Sequence, residues 1–179
     1  MNSRLRVRSV LVLAALAGVF AAVAAAADYP GKAQALMPTP KEIGYARVIE
    51  FQPVKKAPAN LARGWRSGVA AIFAKGTTTK PIEAVAAVYL YANAADAKTA
   101  WQHACPSCTH VLVQGVQMRY QGGTANGTPA FRNYTVCHNV YASVVTTGSE
   151  ASSKLATEAG AIAGWVYKRA MGMGMSPCK

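Results

Sequence analysis

The sequence predicts an α+β fold: an antiparallel sheet of about five to seven strands with two main helices packed on it, stapled by disulfides. Three observations lead there. Short runs rich in β-branched and aromatic residues are separated by turn signals, two alanine-rich segments carry apolar residues at helical spacing, and four cysteines follow a leader-like N-terminus.

Arg4, Arg6 and Arg8 precede an apolar run from Val10 to Val23 that ends in the small residues Ala24 to Ala27. This order marks residues 1–27 as a secretory signal peptide, with cleavage expected before Asp28. An uncleaved anchor is the rival reading, because the 18 residues from Val10 to Ala27 reach the lower limit of a membrane span. Their alanine content makes that span weak, so no stable membrane span is expected after cleavage. Val19 stands where a lipidated cysteine would have to be, which argues against a lipid anchor. Cleavage removes three of 19 basic residues and none of the seven acidic ones, leaving a net charge of +9. Such a surface suits anionic envelope partners. The basic residues are scattered singly or in pairs with no Arg-rich stripe, so no nucleic-acid partner is expected.

Residues 28–40 are small, polar and proline-containing, and read as a flexible lead-in to a single domain over 41–179. Residues 41–51 suggest a short helical turn or strand. The stretches 64–75 and 82–92 are apolar on both faces of a strand period, as in strands buried on both sides. Asn93 occupies an N-cap position with Asp96 as its capping-box partner. Ala97, Ala100, Trp101 and Ala104 then form one helical stripe that ends before Pro106. Two strands follow, centred on Gly115, and residues 122–129 read as a glycine-rich loop with an Asn-Gly turn. A hairpin with His138 and Asn139 at its turn comes next. Ser149 and Glu150 are expected to open a last helix with Leu155, Ala159, Ile162, Ala163, Val166 and Ala170 on one face, and Lys168 and Arg169 complement the dipole at its C-terminal end.

Export favours disulfides for Cys105, Cys108, Cys137 and Cys178. All three pairings are open. Cross-links from the end of the first helix to the hairpin and the tail are preferred, since closing longer loops stabilises more. A redox dithiol fits less well, because C-x-x-C here follows a helix instead of opening one. Thr109 between Cys108 and His110 breaks the haem-attachment pattern. A metal-handling alternative, for zinc or Cu(I), would draw on His103, Cys105, Cys108 and His110, with Met171, Met173 and Met175 of the methionine-rich tail as soft ligands. Trp65, Tyr89, Tyr91, Tyr120 and Tyr141 are candidates to line a ligand cleft, although aromatic residues in strands more often serve packing. Catalysis finds little support: no acidic pair has motif context, no serine sits in G-x-S-x-G, and the glycine-rich stretch lacks a Walker lysine. No cofactor is expected.

The runs YANAADAKTAWQHAC (91–105), YTVCHNVYASVVTTG (134–148) and AGAIAGWVYKRA (159–170) together resemble the PknH-like extracellular sensor-type domains of actinobacterial envelope proteins. The resemblance implies a secreted or tethered α+β module with an antiparallel sheet, paired disulfides and a ligand-binding cleft. The expected function is a non-enzymatic binding or sensor-like domain for an envelope ligand or partner protein.

Overall fold

A computed structural model describes residues 27–77 and 81–178. The expected signal peptide therefore lies outside the described residues, apart from Ala27.

Seven strands form one antiparallel sheet. The first three, β1 (Arg47–Pro53), β2 (Trp65–Gly76) and β3 (Pro81–Tyr91), make one meander, and β4 (Thr109–Val113), β5 (Val116–Ala125), β6 (Thr128–Cys137) and β7 (Val140–Gly148) make another. The meanders join through β3 and β7, which gives the order β1-β2-β3-β7-β6-β5-β4. Helix α1 (Ala94–Ala104) follows β3 and helix α2 (Ser152–Gly172) follows β7. The fold class is the one the sequence predicts.

Local chemistry explains the joints. The Asn93 side-chain oxygen accepts the Asp96 backbone N–H at 2.9 Å, which caps α1 as expected. The β4–β5 and β5–β6 hairpins turn on Gln114-Gly115 and Asn126-Gly127, all four residues with positive φ, the geometry that two-residue hairpin turns require. The stretch 122–129 is accordingly not a glycine-rich loop. Gly122 and Gly123 continue β5 as ladder partners of Phe131 and Ala130, and the turn is two residues long. Helix α2 begins at Ser152 instead of Ser149, because β7 continues to Gly148.

The register assigns the two faces. Phe73 of β2, Ala84, Ala86 and Val88 of β3, and Ala142 and Val144 of β7 point to the side covered by α2, where they pack on Leu155, Ala159, Ile162 and Val166. The opposite side is only partly covered. There α1 sets Ala97, Ala100 and Trp101 on Tyr91, Val136 and Tyr141. Beyond α1, Val85 is 45% exposed on that side, so β2 and β3 are buried on one face and not on both as expected. Alanine and valine on the second face read as core in the sequence, yet beyond α1 no helix among the described residues lies over them.

Residues 28–40 depart further from expectation. Tyr29, Ala33, Leu36 and Met37 are buried in the main core, so this segment is packed structure and not a flexible lead-in. Two contacts pin it. The buried Asn139 side chain accepts the Tyr29 N–H at 2.8 Å and donates to the Tyr29 carbonyl at 2.9 Å. Arg169 of α2 donates to Glu42 at 2.6 Å and to the Ala35 carbonyl at 3.1 Å.

The Thr39 backbone N–H, with help from the Thr39 hydroxyl and the Arg169 guanidinium, holds the Glu42 carboxyl below its ordinary value of 4.5. Because the folded-state pKa is the lower one, this contribution to stability is fully present above pH 4.5 and is lost as the pH falls through the folded value. Glu42→Gln is therefore expected to lower the urea midpoint at neutral pH and to flatten its decline in acid. A set of urea titrations across acid pH checks both features.

Candidate functional site

Helix α2 lies over β3, β7 and β6 and stops short of the sheet edge formed by β5 and β4. The uncovered strip between helix and edge is a groove of about 360 Å³. Its floor is Asn133 and Thr135 of β6 with Val116 and Met118 of β5. Gly160, Ala163, Gly164, Tyr167 and Met171 of α2 form one wall. The β4–β5 turn closes one side through Val113 and Gln114, and Pro177 with Cys178 closes the end.

No residue lining the groove carries a formal charge. Its polar side chains are few, and two of them bond each other. The Tyr167 hydroxyl donates to the Thr135 hydroxyl oxygen at 3.1 Å, and that hydroxyl donates onward to the Ala142 carbonyl at 3.4 Å. Burial pushes the Tyr167 phenol well above its ordinary range, so it remains protonated at any physiological pH. Asn133 differs. It is 2% exposed, its side chain is on the groove side of β6, and its oxygen Oδ1 has no hydrogen-bond donor among the described residues. A buried amide oxygen left this way is costly, by about 1–3 kcal/mol, so its retention calls for an explanation.

Gly160 and Gly164 are equally telling. They sit in the middle of α2, where glycine is less favourable than alanine by about 0.8–1 kcal/mol. A Cβ built at either position meets nothing within 4 Å, and neither has positive φ, so the fold itself requires glycine at neither site. What the missing side chains leave is open width in the groove. Gly160→Ala and Gly164→Ala are each expected to raise stability by roughly 1 kcal/mol, read as a higher thermal midpoint. A fall in the midpoint at either site would show that the backbone there needs glycine after all.

The sequence-predicted site residues go elsewhere. Cys105 is bonded to Cys108 and Cys137 to Cys178, which overturns the preferred cross-links. The reason is local: a turn in which the Cys108 N–H meets the Cys105 carbonyl at 3.2 Å brings those two Cα atoms to 5.4 Å. The tail, leaving α2 on the other face, delivers Cys178 to Cys137. The metal alternative loses its two cysteine ligands with this pairing, since neither Cys105 nor Cys108 is a thiolate. His103 is exposed, and His110 sets its ring against Trp101 at 5.1 Å. Met171 lines the groove, Met173 accepts the Tyr29 hydroxyl at 3.4 Å, and Met175 is buried in the main core. Among the described residues no group of three or more His, Cys, Asp or Glu side chains could hold a metal ion.

The five aromatic candidates are placed as packing, and none lines the groove. Trp65, Tyr89, Tyr91 and Tyr141 gather under α1, with Tyr89 stacked on Tyr141 at 5.5 Å and the Tyr91 hydroxyl donating to the Leu61 carbonyl at 3.0 Å. Burial pushes the Tyr91 and Tyr141 phenols upward. Tyr120 stacks on Phe131 at 5.8 Å, on the α2 side of the sheet.

No model of a protein family matches the chain, and no curated protein does. Among solved structures, the chain is similar to the extracellular domain of PknH from Mycobacterium tuberculosis, with 16% identity over 75% of this chain and 94% of that one and a TM-score of 0.45.

Proposed function

We propose that the protein is an exported, non-enzymatic, sensor-like binding domain whose ligand occupies the groove between α2 and strands β4 to β6. The observation that carries this reading is the unpartnered Asn133 oxygen on the floor of an uncharged groove. Small-molecule sites are mostly apolar with a few placed polar groups, and this groove has that composition. The same lining supports a binding role over catalysis, because it offers no carboxylate, imidazole or thiolate to move a proton. Two disulfides among all four cysteines support export, and no helix among the described residues is long and apolar enough to cross a membrane. The net charge of +9 left after leader removal supports residence beside anionic envelope polymers.

Gly164→Phe tests the reading, since it fills the groove from a position where a side chain meets nothing. Binding of the neutral apolar dye N-phenyl-1-naphthylamine, followed by fluorescence, is expected to weaken at least tenfold in the variant while the thermal midpoint holds. Unchanged dye binding in a folded Gly164→Phe protein would place the ligand site outside the groove.

A further inference from the structure

We infer that the groove selects an uncharged, single-chain amphiphile whose one hydroxyl group donates a hydrogen bond to Asn133 Oδ1. This rests on the groove being the binding site and names what the site takes.

Three features define the class. First, a carboxylate, phosphate or ammonium entering the groove would give up hydration with no opposite charge to meet it, because every lining residue is uncharged. Charged lipids are thereby disfavoured in spite of the chain's net positive charge. Second, the floor holds a buried acceptor without a donor among the described residues. The Thr135 and Tyr167 hydroxyls already bond each other and backbone carbonyls, whereas the side chain of Asn133, a lining residue, keeps a buried Oδ1 with no donor among the described residues. A ligand hydroxyl there would satisfy an acceptor that the protein leaves open. Third, the remaining surface suits a hydrocarbon chain. Val116, Met118, Ala163 and Met171 supply apolar walls, and the bare backbone at Gly160 and Gly164 lets a chain lie against α2. Methionine side chains adapt to irregular apolar shapes. At about 360 Å³ the space is near the lower end of the roughly 300–1,000 Å³ of ligand pockets, which suits one medium-length chain and not a two-chain lipid.

The rim continues the same chemistry outward. Val113 at the β4–β5 turn and Met171 on α2 are both large, apolar and exposed, so the entrance is apolar on both sides. No cation stands among the lining residues to recruit an anionic head group.

The test compares n-decanol, decyl methyl ether and decanoate as competitors of the neutral dye, with wild-type, Gly164→Phe and Asn133→Leu proteins. The wild type is expected to bind the alcohol about tenfold more tightly than the ether, which lacks only the donor, and at least tenfold more tightly than the carboxylate. Asn133→Leu should bring alcohol and ether to within about twofold of each other, and Gly164→Phe should weaken both. The alcohol-to-ether ratio in the wild type needs no variant, so the inference stays testable if Asn133→Leu fails to fold. Equal binding of alcohol and ether, tighter binding of the ether, or tight binding of decanoate would overturn the ligand class while leaving the groove as the site, provided Gly164→Phe abolishes them. Full retention of alcohol and ether by folded Gly164→Phe would overturn the groove itself.

Discussion

Replacing Cys137 and Cys178 together by alanine is expected to lower the free energy of unfolding by about 4 kcal/mol, against about 2 kcal/mol for the Cys105 and Cys108 pair. The difference follows from loop length. The Cys137–Cys178 bond spans 41 residues of sequence and encloses β7, all of α2 and the tail, whereas Cys105–Cys108 spans three. A cross-link that closes a longer loop removes more conformational freedom from the unfolded chain. The long-range bond also fixes the end of the groove, where Cys178 is a lining residue. Urea unfolding of the two double variants without reductant checks the ranking. A larger loss from the Cys105 and Cys108 pair would mean that strain or residual structure outweighs loop entropy here.

Trp101→Ala is expected to cost 3–5 kcal/mol, the largest effect of any single substitution considered. Helix α1 holds the sheet through three buried residues, and the other two are Ala97 and Ala100. Trp101 therefore supplies most of the apolar area of this contact. It is 2% exposed, its indole N–H donates to the Tyr134 carbonyl at 2.8 Å, and the Arg119 guanidinium lies over its ring at 4.6 Å. Alanine would leave a cavity, strip the carbonyl of its donor and release Arg119, which also donates to the Gln102 and Cys105 carbonyls at the helix end. Trp101→Phe keeps most of the area and loses the N–H, so roughly 1–2 kcal/mol is expected. Urea titration of both variants reads this directly. A loss below about 1.5 kcal/mol for alanine would show that α1 docks by other means.

The parts of the fold legible in the sequence are those whose signals are local. Asn93 announces the start of α1 because its cap partner is three residues away. Asn126-Gly127 announces a hairpin because both positions need positive φ. The packed segment 28–40 was not legible for the opposite reason. Tyr29 is held by Asn139, 110 residues away, and nothing near either residue advertises the pairing. The cysteine pairing failed similarly. Preference for longer loops considers the unfolded chain alone, whereas the pairing is set by which face each helix occupies.

The groove draws on β4, β5, β6, α2 and the tail, so no continuous motif encodes it. Traces were present. Asn133 and Thr135 interrupt the alternation of Phe131 and Cys137 on what should be a core face, and two glycines four residues apart thin a helix stripe that is otherwise alanine-rich. Polar residues at core positions and glycines that the backbone does not require are signs of a site that retains features unfavourable to folding. The aromatic residues are the stronger sequence signal, yet Trp65, Tyr89, Tyr91 and Tyr141 are the packing of the other face and Tyr120 stacks on Phe131.

A backbone amide NMR titration with n-decanol tests the central claim most directly. The groove account predicts saturable shifts concentrated at Val116, Met118, Asn133, Gly160 and Gly164, with the α1 face unperturbed. Shifts centred on Trp65, Tyr89, Tyr91 and Tyr141, with the groove residues silent, would contradict it.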